Sequence, residues 1–406
     1  MTEIVLSALV ITALVALLTL GLLAARRRLI PEGAAIITVN ETTKIEAARG
    51  QKLLEALHDA GLAIPAACGG AGTCGLCRVT ATGAGAGEVQ ATERGMLSAP
   101  ERRAHTRLAC QVTLRGACDV TVAGDALAAE TLSCRVASNR MLAPLIRELV
   151  LDLPEGAEID FRAGGFMQLT APPYRLDFAE IEIAPQFRTE WDQSGWSAMR
   201  TVSPLAVTRA YSIASRPEDK GQIVFNIRLA VPPAGEEATV PPGRVSSWLF
   251  GLREGDSVEA SGPFGEFHVQ PTEREMVFIG GGVGMAPLRA MIHEQIGLGT
   301  SRKMTYFYGA RSAGDLFYED EFARIAKAHP NFRFVPALTE PAPGDRWTGP
   351  TGFIHETVRK ALSDHPAPED CEYYLCGPPV MISAVLATLG RLGVEPHSIH
   401  NDDFGA

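Results

Sequence analysis

Three cysteines fall within ten residues in CGGAGTCGLC, residues 68–77, at the spacing Cys68-x5-Cys74-x2-Cys77, and a fourth, Cys110, follows in RLACQV. Four sulfurs able to converge on one centre admit disulfides, a zinc ion or an iron–sulfur cluster. Gly69, Gly70, Gly72 and Gly75 separate the thiols, and their freedom lets the backbone curl round a body larger than a single ion. A second group is RAYSIAS, residues 209–215. A dinucleotide held on a barrel needs a cation for its pyrophosphate, an aromatic platform for its ring and donors for its polar atoms. Arg209, Tyr211 and Ser212 offer these, with Arg209 and Tyr211 on one face of a strand. Downstream, PPGRVSSW sets Gly243, Ser246 and Ser247 at a turn into a helix, where free N–H groups favour phosphate. The third group is GGGVGMAP, residues 280–287, whose Gly282-x-Gly284-x-x-Pro287 lets the backbone approach a pyrophosphate. It lacks the third glycine and the later acidic residue of a full dinucleotide fingerprint. Cys376, Gly377 and Pro378 open CGPP at the end of another apolar run. Taken singly, RAYS also fits a solvated strand face, and the glycine turn a plain strand-to-helix connection.

The elements that must position these groups follow from periodicity. From 34 onward, AAIITVNETTKIEAA alternates as a hairpin does, and QKLLEALHDAGLAIPAA is apolar at helical spacing up to the cysteine loop. Short strand-like runs separated by Gly and Pro (EIDFRAGGFMQLTAP, QIVFNIRLAV, DSVEASGPFGEF) predict an antiparallel barrel. Beyond it, buried-looking strands (EMVFIGGG, KMTYFYGA, FRFVPAL, EYYLCGPP) alternate with helical stretches, the pattern of a parallel sheet covered on both faces. Both glycine turns then open on its carboxyl edge, where ligands bind. The expected division is an anchor and linker over 1–33, a cluster domain over 34–126, a barrel over 127–271 and a nucleotide domain over 272–406.

Ile4 to Ala25 carries 22 residues without a charge, preceded by Glu3 and followed by Arg26, Arg27 and Arg28. That length matches a bilayer core of ~30 Å at ~1.5 Å per residue. A signal peptide would place its positive charges before the apolar core. The arginines stay inside, so a single-pass transmembrane helix with its N-terminus outside is expected, with the globular parts in the cytoplasm. Ser7, Thr12 and Thr19 are its only polar side chains, and the absence of a carboxylate excludes an ion path there. A reducing cytoplasm disfavours disulfides. The cysteine spacing is the plant-type ferredoxin C-x4-C-x2-C…C with one residue inserted, which favours [2Fe–2S] over zinc, whose sites usually use C-x2-4-C pairs. A formal charge of −10 and no basic stripe argue against nucleic acid. Cys118, Cys134 and Cys371 read as small core residues, His397 and His400 as a solvated pair, and Glu236 and Glu237 as a surface loop.

The motif order, with YGAR after the glycine turn, resembles that of ferredoxin–NADP reductase-type flavoproteins fused to a [2Fe–2S] domain. With the apolar N-terminus, RAGGFMQL, NIRLAVPP, WTGPTGFIH, APEDCEYYLCGPP and the terminal DDFGA, essentially the whole chain resembles the F-subunit family of Na+-translocating NADH:quinone reductases. That resemblance implies a β-grasp ferredoxin domain, an FAD barrel, an NAD domain, and assembly with other membrane subunits in a bacterial inner membrane. It makes Cys68, Cys74, Cys77 and Cys110 the cluster ligands. Arg209, Tyr211 and Ser212 would hold FAD, with Tyr211 against the flavin and Ser212 near its reactive nitrogen. Phe404 would cover the other flavin face. Gly282, Gly284 and Pro287 would take the NADH phosphates, with Cys376 near the hydride path. His400 and Asn401 depart from the family, which carries apolar residues there. Arg311 and Ser312, after YGA, leave open a contact with the 2′-phosphate of NADPH, although the resemblance favours NADH.

The cofactors dictate the expected route. NADH delivers a hydride and an iron–sulfur cluster takes one electron at a time, so FAD must stand between them. The cluster domain lies nearest the anchor in sequence, so electrons should run from cytoplasm to bilayer. Two other readings are a tethered reductase feeding an oxygenase and a structural subunit with a dead nicotinamide site. The anchor and tail argue against the first, the intact nucleotide motifs against the second.

Overall fold

A computed structural model describes residues 12–19, 21, 33–66, 68–122, 129–237, 239–342, 344 and 346–403. Residues 12–19 and 21 are helical, and no helix among the described residues is long and apolar enough to cross a membrane. The remainder of the expected span over 4–25, like Phe404, lies outside the described residues. The chain divides into two compact units, residues 1–64 with 70–127, and residues 65–69 with 128–406.

In the first unit, β1 (Ala34–Val39) and β2 (Thr43–Ala48) form the expected hairpin, in register from Ala34 opposite Ala48 to Val39 opposite Thr43. The short helix α1 (Leu53–Asp59) buries Leu53, Leu54, Ala56 and Leu57. After the cysteine loop come β3 (Arg78–Thr82), two short helices, α2 (Ala91–Met96) and α3 (Ala99–Arg103), then β4 (Thr106–Leu108) and β5 (Cys118–Thr121). The sheet order is β2-β1-β5-β3-β4, with β1 and β5 parallel and the other pairs antiparallel. This is the β-grasp arrangement anticipated from the resemblance.

The second unit opens with β6 (Glu130–Ala143), β7 (Ile146–Asp152), β8 (Phe166–Ala171), β9 (Tyr174–Asp177), α4 (Arg188–Gln193), β10 (Arg200–Ser203), β11 (Val207–Ser212), β12 (Gln222–Arg228), α5 (Arg244–Gly251) and β13 (Ser257–Phe264). Six strands pair antiparallel in the order β11-β8-β13-β6-β7-β12. A bridge between Ile213 and Phe225, with Ala214 N–H donating to the Val224 carbonyl at 2.8 Å, joins the two end strands and closes the barrel. Closure removes exposed strand edges. Trp191, Phe225 and Phe250 anchor its core, and β9 and β10 form a separate two-stranded ribbon.

The same unit continues through β14 (Met276–Gly281), α6 (Met285–Gly297), β15 (Met304–Ala310), α7 (Glu319–Ala328), β16 (Phe332–Leu338), α8 (Ile354–Ser363), β17 (Glu372–Gly377), α9 (Pro379–Arg391) and β18 (Ile399–Asp403). All neighbours pair parallel, in the order β16-β15-β14-β17-β18. Every residue of β14 and β17 is buried, because cores cover both faces: Phe278, Tyr306 and Tyr374 on one, Ile279, Phe307 and Leu375 on the other. Strand order reverses between β14 and β17, the crevice where such sheets bind ligands at their carboxyl edge.

Candidate functional site

In the cysteine loop, Gly69, Gly70, Gly72 and Gly75 adopt φ of +61°, +94°, +79° and +68°. Successive left-handed residues coil the backbone in a way side-chain-bearing residues resist. Cys74, Cys77 and Cys110 come together in the first unit. Cys77 and Cys110 are buried, and a hydrogen bond to Cys110, with burial second, pushes the Cys77 thiol far above its usual range. None of the eight cysteines is in a disulfide. Sulfurs packed this closely repel as thiolates, and a cationic iron core among them reverses that penalty, so the donor set fits an iron–sulfur centre. Cys68 is half-buried on segment 65–69, which belongs to the second unit.

Gln111 braces the loop: its amide donates to Cys110 Sγ at 3.3 Å and to the Gly70 carbonyl at 3.0 Å. The strand leading to Cys110 is fixed by a buried ion pair, Arg107 Nε to Glu93 Oε1 at 2.9 Å, with Leu108 N–H donating to the same oxygen at 3.0 Å. Burial alone would raise the Glu93 carboxyl, but the Arg107 guanidinium and the Gln90 and Leu108 N–H groups outweigh it and hold it below the usual carboxylate range.

On the barrel, β11 pairs with β8 so that Arg209, Tyr211 and Ser212 stand opposite Leu169, Met167 and Phe166. Arg209 and Tyr211 share a face as their spacing predicts, and both are half-buried, while Ser212 is buried. Tyr211 packs against the barrel core, and burial pushes its phenol far up, so it presents a neutral ring. Gly243 precedes α5, and a Cβ there would meet Ser246 Oγ at 2.6 Å. Ser246 Oγ donates to the Gly243 carbonyl at 3.2 Å, accepting in turn from Ala230 N–H at 3.2 Å. Ser247 is wholly buried and its hydroxyl accepts from Thr201 at 3.1 Å. The two serine hydroxyls are thus engaged within the protein, and the first-turn N–H groups of α5 are what this turn offers an anion. A neutral aromatic ring, a nearby cation and a helix N-terminus fit a flavin dinucleotide.

The nucleotide motifs meet at the carboxyl edge. Gly282 takes φ of +55°, and a Cβ on Gly284 would lie 1.9 Å from the Cys376 carbonyl oxygen. Only glycine fits there. A Cβ on Gly377 would fall 3.1 Å from the Gly281 carbonyl, so the GGG and CGP turns lie against each other. Pro287 is the third residue of α6, where its missing N–H removes a donor that has no intrahelical partner. Cys376 is fully buried in the core that includes Phe278 and Tyr306, and it is the strand-end carbonyl that faces the glycine turn. This tight backbone crevice fits a dinucleotide phosphate.

Three findings refine the sequence reading. Arg311 Nη2 meets Glu190 Oε1 at 2.8 Å and its Nε meets Asp315 Oδ2 at 3.4 Å, while Ser312 Oγ donates to Asp315 Oδ2 at 2.8 Å. The pair expected to leave a 2′-phosphate contact open is instead occupied by carboxylates. His400 is half-buried and stacks on Tyr374 at 5.3 Å between ring centres; burial lowers its pKa. The expected solvated pair therefore holds only for His397, which is exposed. His400 lies in β18, whose register with β17 ends at Asp403 opposite Gly377, bringing the end of β18 to the nucleotide edge. Gln111 and the Glu93–Arg107 pair were not foreseen; Gln111, adjoining Cys110, was the one detectable signal.

Comparison with known proteins agrees with this geometry. Residues 37–115 match the 2Fe-2S iron-sulfur cluster binding domain, 198–269 the oxidoreductase FAD-binding domain and 278–386 the oxidoreductase NAD-binding domain. The chain is 46% identical to the F subunit of the Na(+)-translocating NADH-quinone reductase of Methylococcus capsulatus (strain Bath), with all of both chains covered. It is 43% identical to the protein of the same name from Klebsiella pneumoniae over 99% of this chain and 100% of that one. Among solved structures, the Amycolatopsis cytochrome P450 reductase GcoB aligns with a TM-score of 0.62 at 29% identity, covering 91% of this chain and 98% of that one. The ferredoxin reductase of carbazole 1,9a-dioxygenase aligns with a TM-score of 0.61 at 25% identity, covering 92% of this chain and 99% of that one. Matched over essentially its whole length by these relatives, and by the three domain models over their own stretches, the chain belongs to the family of F subunits of the Na(+)-translocating NADH-quinone reductase.

Proposed function

We propose that this chain is the electron-input subunit of a Na+-translocating NADH:quinone oxidoreductase, taking hydride from NADH onto FAD and passing single electrons through a [2Fe–2S] cluster to membrane subunits. The observation that carries this reading is the presence of a thiol loop, a flavin-type barrel and a dinucleotide edge in one chain that matches its F-subunit relatives over its full length. When bound, FAD supplies the change from two-electron to one-electron transfer and the cluster supplies the one-electron exit.

The residues divide the work. Cys68, Cys74, Cys77 and Cys110 would supply thiolates to the cluster, with the Gln111 amide already donating to Cys110 Sγ and the positive-φ glycines letting the loop curl round it. Arg209 would neutralise the flavin pyrophosphate and Tyr211 would stack on the ring. Ser212 would stand near the reactive nitrogen, and the turn of Gly243, Ser246 and Ser247 would bind phosphate through its backbone. Gly282, Gly284 and Pro287, with Gly377 and Pro378 opposite, would admit NADH, the glycines letting the backbone approach its phosphates closely. Cys376 ends the strand beside the hydride path. Phe404, outside the described residues, would by the family resemblance cover the flavin face that nicotinamide must share. The carboxylates on Arg311 favour NADH over NADPH.

Residues 4–25 form the single-pass inner-membrane anchor, with the N-terminus outside; the charge pattern supports this. With no carboxylate in the anchor, sodium movement belongs to other subunits. The resemblance to oxygenase reductases reflects a shared layout, and the greater identity to sodium-pump subunits favours the pump. Full-length chain and a form lacking residues 1–32 separate the parts of this reading. The first should fractionate with membranes and the second should be soluble, and both should lose flavin absorbance when NADH is added without oxygen. A soluble form that holds flavin yet does not react with NADH contradicts the catalytic assignment, and full-length chain found in the soluble fraction contradicts the anchor.

A further inference from the structure

The amino edge of the parallel sheet, opposite the edge that carries Gly284 and Gly377, gathers three metal-ligating side chains. Glu275 immediately precedes β14, Cys371 immediately precedes β17, and His365 lies in the turn after α8. One ligand atom from each lies within 4.8 Å of the other two. Glu275 Oε2 is 3.3 Å from His365 Nε2, which is 3.9 Å from Cys371 Sγ. At ordinary zinc bond lengths the edges of a tetrahedral site are about 3.3 Å between nitrogen and oxygen and about 3.6 Å between sulfur and nitrogen.

We propose that Glu275, His365 and Cys371 form a divalent transition-metal site that fits zinc, with its fourth position taken by water. A thiolate, an imidazole and one carboxylate suit zinc, whereas calcium and magnesium require mostly oxygen ligands. The frame is already in place. Glu372 N–H donates to the Glu275 carbonyl at 2.8 Å, Tyr373 holds the Pro368 carbonyl at 2.7 Å, and Arg274 holds those of Asp370 and Glu369 at 2.7 and 2.9 Å. Cys371 is buried, while the side chains of His365 and Glu275 keep 21% and 22% of their surface, an opening for an ion and its water. Ala367 N–H donates to His365 Nδ1 at 3.2 Å, so without metal the ring proton sits on Nε2 and is shared with Glu275. Zinc at Nε2 displaces the Cys371 thiol proton to solvent and moves the ring proton to Nδ1. That sacrifices two hydrogen bonds, the one to the Glu275 carboxylate and the one from Ala367 N–H, and sets the new Nδ1–H against the Ala367 N–H so that the turn must shift, a cost opposed by three metal–ligand bonds. The bound ion would tie the turn after α8 to the residues just before β14 and β17, away from the electron path.

Purified full-length protein carrying flavin and cluster, incubated with zinc chloride and dialysed, tests this by metal analysis and zinc X-ray absorption. The expected result is one zinc per chain, with a single sulfur at about 2.3 Å and the remaining ligands nitrogen or oxygen at about 2.0–2.2 Å. Cys371→Ser should remove the sulfur, and His365→Gln should weaken binding at least tenfold, both with flavin absorbance retained. No retained zinc, a shell without sulfur, or undiminished affinity in His365→Gln overturns the proposal. A four-sulfur shell also overturns it, since it places the ion among the cluster cysteines. Should Cys371→Ser not accumulate, the spectrum of the unaltered protein and the His365→Gln affinity decide.

Discussion

At single residues, what backbone and side chains leave room for decides what each site can hold. Gly284 lies where any Cβ would enter the Cys376 carbonyl. Gly284→Ala must push apart the two turns of the nucleotide edge, and its KM for NADH should rise at least tenfold in steady-state assays with ferricyanide. An unchanged KM would remove this crevice from the NADH site. Arg311 tests selectivity in the other direction. Glu190→Gln with Asp315→Asn releases its guanidinium, and one new charge-assisted bond to a 2′-phosphate of ~1.4 kcal/mol should raise the NADPH-to-NADH ratio of kcat/KM about tenfold. The cysteine spacing, the RAYS strand and the glycine turn were legible because covalent geometry and strand alternation place them. The capture of Arg311 by Glu190 was not, because these residues stand 121 positions apart and only the folded unit brings them together. Nor was the stacking of His400 on Tyr374, which depends on the parallel register of β17 and β18.

At the scale of elements, charged ties set how the site-bearing segments are held. In the reductase unit, Arg289 on α6 reaches Glu321 in the first turn of α7 at 2.7 Å, and His293 reaches the same carboxylate at 2.7 Å. Burial would raise Glu321, yet its bonds to His293 and Arg289 lower it to about 2. A depressed carboxylate contributes stability that is fully present above its unfolded pKa and is lost as pH falls through the folded value. Glu321→Gln should therefore lower the thermal midpoint at pH 7, and the gap from the unaltered protein should shrink between about pH 4.5 and about pH 2. A gap that is constant across that window would show that the carboxylate charge contributes nothing. The alternation of barrel strands and the strand-helix alternation of the nucleotide domain were readable from period alone. The helices α2 and α3 were not, since six and five residues are too few to show a helical period. Their starts are set by capping contacts instead, Glu93 reaching back to Gln90 N–H and Glu101 to Ser98 N–H, each at 2.7 Å.

At the scale of the whole molecule, chain order carries the functional argument: cluster unit first, flavin-type barrel next, dinucleotide sheet last. That order follows from the motifs and is independent of how the units sit relative to one another. The central claim is that electrons leave NADH through the reductase unit before they reach the thiol loop. Cys74→Ser tests it most directly. In the assembled membrane complex, verified free of the [2Fe–2S] paramagnetic signal, this variant should still oxidise NADH with ferricyanide, which accepts electrons upstream of the cluster, while its quinone reduction falls to background. Quinone reduction persisting at the unaltered rate in that cluster-free complex would contradict the assigned order and the role given to residues 68–77.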